Sequence, residues 1–255
     1  PSAAFSDNLA MIKPYIRRDC LFIWGAKGFA KQDNSLRFLH EQVAYHLGSI
    51  ASAVLSGPTF AIEVARNLPT AIVVASTDKS IATQLQLLLH SDRFRVYTST
   101  DIVGVQMCGG MKNVLAVAAG IADGMGLGAN TQSALITRGL VEMQRMANIL
   151  GCQKETIMGL SGMGDLILTC TSNLSRNRRF GYAIGSGMSL MDAQREIGQV
   201  IESLNNARTV LQFAQQHQIE LPIISQVCAV LSESITPSDA LHTLLSRAPK
   251  SEFLE

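Results

Sequence analysis

Residues 101–123 read DIVGVQMCGGMKNVLAVAAGIAD, and between the two terminal aspartates the only charged residue is Lys112. Apart from Gln106 and Asn113, its surroundings are apolar or small. A lysine set among valines, alanines and glycines either snorkels to water along its stem or is held for a purpose. Burial favours the neutral amine, which suits such a group to proton transfer near neutral pH. The pair Gly109-Gly110 strips the helix of side chains where another backbone or a ligand approaches. The stretch has the length of a membrane span, about 20 residues. Three polar residues at its middle argue against stable membrane insertion, because lipid makes them costly.

Upstream, short apolar runs alternate with amphipathic ones. Residues 6–16 read as a helix with Ser6 as its N-cap, and 20–24 (CLFIW) as a buried strand. That strand runs into Gly25-Ala26-Lys27-Gly28, a turn at the carboxyl edge where open α/β sheets bind ligands. Residues 35–47 are helical in pattern, and 51–55 form a strand ending in Ser56-Gly57-Pro58-Thr59-Phe60. A helix starts there, and its free amides attract anions. Strand 70–76, helix 78–90 and strand 93–98 follow. This alternation predicts a doubly wound α/β sheet. From residue 101 long apolar helices take over, including 102–122 and 131–150. The shift places a boundary near residue 100, with one domain over 1–100 and an all-helical one over 101–255.

Composition narrows the function. Hydrophobic residues make up 47% and charged ones 16%, enough for a large core. Lys+Arg 21 against Asp+Glu 20 leaves no basic footprint for nucleic acid. Five scattered cysteines without a CxxC argue for reduced thiols in a cytoplasmic protein, and neither they nor the five histidines form a metal-ligand pattern. No signal peptide is read at the start. Two polar clusters stand out in the helical half. Ser161-Gly162-Met163-Gly164-Asp165 is a glycine-rich turn leading into a helix, with Asp165 in its first turn. Residues 171–179 (TSNLSRNRR) gather three arginines with hydroxyl and amide side chains, a set suited to phosphate. Together the signals fit a phosphorylated small molecule at the junction of the two domains.

The blocks LSGPTFAIEVARNLPTAIVVAS, VGVQMCGGMKNVLAVAAGIADGMGLGANTQSALITRG and LSGMGDLILTCTSNLSRNRRFG closely resemble bacterial NAD(P)-dependent glycerol-3-phosphate dehydrogenases. The resemblance implies a Rossmann domain followed by an all-α substrate domain. It implies reversible reduction of dihydroxyacetone phosphate to sn-glycerol 3-phosphate with NAD(P)H, feeding phospholipid synthesis, and a homodimer is expected. By motif, Lys112 matches the family's catalytic proton donor and acceptor. Lys27 matches a lysine touching cofactor and substrate; Gly57 and Thr59 match substrate contacts and Ala61 a cofactor contact. Asp165, Ser175, Arg176 and Asn177 match the substrate pocket, Arg176 also lying near the cofactor, and Val200 and Glu202 match further cofactor contacts. No metal is implied.

Two departures stand beside it. Ala26 occupies a position where the family more often has threonine. The GxGxxG dinucleotide turn is absent from the sequence. The expectation is that the first Rossmann strands lie upstream of Pro1, that the domain here is incomplete at its N-terminus with an open sheet edge, and that the chain as given binds NAD(P)H poorly. The competing readings are a related hydroxyacid dehydrogenase of the same plan, disfavoured by the 175–177 set, and a non-catalytic helical interaction module.

Overall fold

The computed structural model describes residues 2–32, 35–249 and 251–252. Its strands are β1 (Phe22–Trp24), β2 (Ala30–Gln32), β3 (Ser35–Arg37), β4 (Ser52–Ser56), β5 (Thr70–Ala75) and β6 (Phe94–Ser99). In the first hundred residues the helices are α1 (Phe5–Ile12), α2 (Leu39–Leu47), α3 (Ala61–Ala65) and α4 (Lys79–Leu89). Beyond residue 100 the described residues form helices only: α5 (Ile102–Gly124), α6 (Gly128–Leu150), α7 (Lys154–Met158), α8 (Asp165–Thr171), α9 (Arg176–Gly185), α10 (Leu190–Ile197), α11 (Ser203–Gln216), α12 (Pro222–Leu231) and α13 (Pro237–Leu245).

The main sheet has the order β1-β4-β5-β6. The β1–β4 and β5–β6 pairs are parallel, in register Phe22↔Ser52 and Thr70↔Phe94. The β4–β5 pair is antiparallel, with Val54 opposite Ala75. The sheet is therefore mixed, whereas the alternating pattern implied a parallel one. An antiparallel partner can follow a short connection without a crossover helix, and the brief α3 fills that connection. Both sheet faces are covered. Phe5, Leu9, Trp24, Leu39, Val54 and Ile102 pack on one side; Ile72, Val74, Ala82, Leu85 and Val96 pack on the other. Because β1 and β4 run parallel, their carboxyl-terminal turns, 25–28 and 57–60, leave the sheet at the same edge.

Two local expectations need correction. Residues 35–37, read as helix, form β3 in a two-stranded antiparallel ribbon with β2, and the helix starts only at Leu39. Residues 33–34, which join the two strands, lie outside the described residues. Ser6 does not cap α1 but sits inside it, its hydroxyl 2.8 Å from His46 Nε2 on α2. The glycine-rich segment Leu160–Gly164 is a π-helical turn leading into α8, with Asp165 in the first turn of that helix as read.

Helix α5 forms the axis of the helical half. Asp101 caps it, its Oδ1 accepting from the Gly104 amide at 2.8 Å. The second carboxylate oxygen accepts from the Gln153 amide at 2.9 Å and the Thr156 hydroxyl at 2.7 Å, tying α7 to the start of α5. From Gly104 to Ala122 every residue of α5 is buried. It is the one helix among the described residues long and apolar enough to cross a membrane, and 94% of its most apolar window is buried inside the protein. Helix α9 approaches it at backbone distance through glycines. A Cβ on Gly120 would lie 2.0 Å from the Arg178 carbonyl oxygen, and one on Gly181 2.2 Å from that of Val117.

Candidate active site

Lys112 projects from the middle of α5 and is only 7% exposed. Its Nζ donates to Asp165 Oδ1 at 2.7 Å and to Thr169 Oγ1 at 2.8 Å. Thr169 can accept because its own hydroxyl proton goes to the Asp165 carbonyl oxygen, 2.6 Å away. Asp165 and Thr169 stand one turn apart on α8, so both face α5. The other oxygen of Asp165, Oδ2, accepts from Lys27 Nζ at 2.7 Å. Lys27 Nζ also donates to the Gly57 carbonyl at 2.8 Å, and the Thr59 hydroxyl donates to the same carbonyl at 3.1 Å. One buried carboxylate thus bridges two ammonium groups that reach it from opposite halves of the chain.

Backbone geometry makes this meeting feasible. Lys27 lays its stem on the bare surface of α5, where a Cβ on Gly109 would touch Lys27 Cβ at 3.4 Å. Gly57 holds φ +123°, a conformation that an L side chain rarely adopts, and a Cβ there would press on the β5 backbone at Ile72. This orients the Gly57 carbonyl toward Lys27.

An ammonium group carries three N–H donors. Among the described residues, Lys112 and Lys27 each spend two, so one N–H on each is left for a ligand oxygen. Burial lowers the Lys112 pKa from 10.5 to about 8, and the positive charge of Lys27 pushes in the same direction. The Asp165 carboxylate opposes both, through its charge and its hydrogen bond, and Glu202 adds to that opposition. Burial and the neighbouring ammonium thus favour the neutral amine of Lys112, and the Asp165 carboxylate favours its charged form.

A second set of contacts frames the site. Asn113, next to Lys112, donates to Glu202 Oε2 at 3.0 Å. The buried Asn177 accepts the Ser203 amide through Oδ1 at 3.3 Å. The exposed Arg176 donates to Gln199 at 3.3 Å, and Val200 beside it is half exposed. These bonds stitch residues 199–203 to α5 and α9. Ser175 is buried and caps α9, its Oγ accepting from the Arg178 amide at 3.2 Å. Ala61 opens α3 just beyond the Gly57–Thr59 turn.

The three arginines read as one phosphate-binding set do not act together. Arg178 is buried and committed to Asp123 and Asn173, bracing α9 against the end of α5. Arg179 is exposed, and Arg176 alone stands with Ser175 and Asn177 beside residues 199–203. Sequence reading missed Thr169, although its spacing of four from Asp165 on a helix was a usable signal. It also missed Asn206, whose partners lie far away in sequence. All five cysteines are free, and burial pushes Cys152, Cys170 and Cys228 up to about 12, so they are inert thiols. Among the described residues no group of His, Cys, Asp and Glu could hold a metal ion.

The paired lysines on one carboxylate, shared between an α/β half and a helical half, coincide with two family models. Residues 1–82 match the N-terminal model of NAD-dependent glycerol-3-phosphate dehydrogenase, and residues 101–242 match its C-terminal model. The chain belongs to the NAD-dependent glycerol-3-phosphate dehydrogenase family. The glycerol-3-phosphate dehydrogenase [NAD(P)+] of Coxiella burnetii (strain RSA 331 / Henzerling II) is 49% identical over 252 residues, covering 99% of this chain and 75% of that protein. The protein of the same name from Xanthomonas campestris pv. campestris (strain B100) is 50% identical over 254 residues, with 99% and 74% covered. A crystal structure of the Coxiella burnetii enzyme superposes with a TM-score of 0.92 over 97% of this chain and 75% of that one. Plasmodium falciparum glycerol-3-phosphate dehydrogenase, 21% identical, shares the fold with a TM-score of 0.85, covering 97% of this chain and 71% of its own.

Proposed function

We propose that Lys112 is the general acid and base of a glycerol-3-phosphate dehydrogenase, an NAD(P)-dependent oxidoreductase that interconverts dihydroxyacetone phosphate and sn-glycerol 3-phosphate. The observation that carries the residue assignment is the Asp165 carboxylate bridging Lys112 and Lys27 while each keeps one N–H unassigned. Reducing a ketone places negative charge on its oxygen. The Lys112 ammonium is placed to stabilise that charge and then to deliver its proton. In the reverse direction the neutral amine takes the alcohol proton. Asp165 and Thr169 hold Nζ in one place, and Lys27 offers a second cationic donor to the substrate. Gly57 and Thr59 line the turn beside it, and Ser175, Arg176 and Asn177 supply the donors for the phosphate.

The nicotinamide cofactor, when bound, supplies or accepts the hydride. The residues present fit its nicotinamide end. Ala61, Val200 and Arg176 are exposed and would hold it, and Lys27 and Glu202 act on the charge of Lys112. In this reading the halves divide near residue 100, the first carrying Lys27 and the 57–61 turn and the second the acid/base machinery. The burial of α5 supports a protein that does not insert into membranes, and the five free thiols support a cytoplasmic setting. Association into a homodimer belongs to this reading through the family resemblance. The product would serve phospholipid synthesis.

The test is steady-state oxidation of NADH and NADPH by the full-length protein with dihydroxyacetone phosphate. Lys112→Met should lower kcat by about 10²–10⁴-fold, the usual contribution of a positioned acid, without unfolding the protein. Wild-type turnover in a folded Lys112→Met variant would overturn the assignment. Turnover of a 2- or 3-keto acid in place of dihydroxyacetone phosphate would move the substrate to the hydroxyacid class.

A further inference from the structure

Asn206 lies in the first turns of α11 and is 1% exposed. An amide that deep must satisfy both its ends. Its Nδ2 donates to the Gly110 carbonyl at 3.3 Å, and its Oδ1 accepts from the Phe29 amide at 3.4 Å. Both bonds are longer than the usual range of about 2.7–3.2 Å, and burial is what makes them matter, because a buried amide left unpaired is costly.

The two partners sit beside the two lysines. Gly110 lies two residues before Lys112 on α5, and Phe29 lies two residues after Lys27. Between Lys27 and Phe29 the chain passes through Gly28 at φ +143°, where a Cβ would come 3.0 Å from Asn206 Oδ1 and 2.6 Å from Ser2 Oγ. A Cβ on Gly110 would come 2.4 Å from the Phe29 ring, so Phe29 is seated on the bare helix at that point. The same end of α11 holds the other side of the site, because Glu202 takes the Asn113 amide and the Ser203 amide goes to Asn177.

We propose that Asn206 is a positioning residue for catalysis, whose amide clasps the Lys27 turn to helix α5 and so sets the separation of the two active-site ammonium groups. It touches neither substrate nor cofactor and acts through Lys27. The proposal rests on the reading of Lys112 and Lys27 as the acid/base and its cationic neighbour. The groups that face Lys112 are Lys27 from the turn, Asp165, Thr169 and the buried Cys170 thiol from α8, and Glu202 ahead of α11. Of these, only Lys27 is released when Asn206 is cut back.

The experiment compares Asn206→Ala with Val210→Ala in the full-length protein. Val210 is a fully buried core residue of the same helix with no polar bond to either lysine's segment. A slack Lys27 turn should lower kcat about 10- to 100-fold, as a displacement of about 1 Å does elsewhere, and raise KM for dihydroxyacetone phosphate. It should also move the basic limb of the kcat profile for ketone reduction to higher pH, because the charge of Lys27 no longer presses on Lys112. Val210→Ala should lower the Tm and leave that limb in place. An unmoved limb in folded Asn206→Ala, or a limb moved equally by Val210→Ala, overturns the proposal. If Asn206→Ala does not fold, Asn206→Leu gives the same readout, since it keeps about the same volume and removes both polar ends without adding a charge. Loss of activity in Lys112→Met together with an unaltered Asn206→Ala would remove the clasp alone, whereas an active Lys112→Met would remove the reading beneath it.

Discussion

Lys112 has its pKa lowered to about 8 by two pressures in one direction, burial and Lys27, against the pull of Asp165. In the proposed mechanism the protonated form delivers a proton to the reduced ketone. Reduction should therefore decline as pH rises through about 8, and oxidation of glycerol 3-phosphate should climb over the same range. Replacing Lys27 by Met removes one pressure, so the limb should move upward, toward the ordinary lysine value of 10.5, while KM for the substrate rises. pH–rate profiles of kcat for the two proteins check this, and a limb that moves down would mean that Lys27 acts on something other than Lys112. The oddity of Lys112 was legible from its neighbours in the chain. Its partners were less so: a residue's solitude in sequence shows that it needs a counter-charge, not where that charge comes from. Asp165 entered only as the head of a helix or through resemblance, and Thr169 not at all. Their roles come from α8 packing against α5, which local sequence does not encode.

At the scale of elements, α5 and α9 touch through backbone, and this contact makes a sharp forecast. A Cβ on Gly181 would sit 2.2 Å from the Val117 carbonyl oxygen and 2.9 Å from its carbon, with no flexible side chain to yield. Gly181→Ala should destabilise the protein by at least the 1–3 kcal/mol typical of overpacking, read as a lowered midpoint in urea, and an unchanged midpoint would show that the helices can part freely. Helix α5 was readable from its apolar run, whereas α9 begins inside a stretch read as a polar cluster, and the cap assigned to Ser6 was wrong. The strands of the β2–β3 ribbon were not readable, because a three-residue strand exists only through its cross-strand partner. A second element-scale forecast concerns Glu142 on α6, which is 2% exposed and accepts from the Ile223 amide at 2.6 Å and the Ile224 amide at 3.2 Å at the start of α12. Burial raises its pKa from 4.5 to about 7, although those two amides pull the other way. Between these values the folded protein binds more protons than the unfolded chain. The stabilisation is full below 4.5 and is lost as pH rises through about 7. Glu142→Gln should flatten this part of the curve of Tm against pH, and an unchanged slope would assign it to another group.

For the whole molecule the decisive contact is the one between Lys27 and Asp165, 138 positions apart, because it joins an α/β half to a helical half at the proposed reacting centre. The change near residue 101 from alternating short runs to long apolar helices is what pointed to two such halves. Their closure on a shared carboxylate could not be read, as it depends on parallel β1 and β4 bringing two turns to one edge and on glycines letting Lys27 lie against α5. Asp165 is 1% exposed and Lys27 is 17% exposed along its side chain, so water screens the pair poorly. Neutralising the carboxylate leaves two buried cations facing each other. Asp165→Asn should therefore cost several kcal/mol, about 3–5 for removal of one partner from a buried pair. It should also shift the reduction limb below about 8, opposite to Lys27→Met, because Asp165 is what raises the Lys112 pKa. Lys27 would lose its tie across the two halves in the same step. Denaturant unfolding and a pH–rate profile on one preparation test both consequences. A stability loss with an unmoved limb would make Asp165 a clamp between the halves with no hold on the Lys112 proton. A moved limb at unchanged stability would put its influence on Lys112 and leave the joining of the halves to the apolar packing around α5.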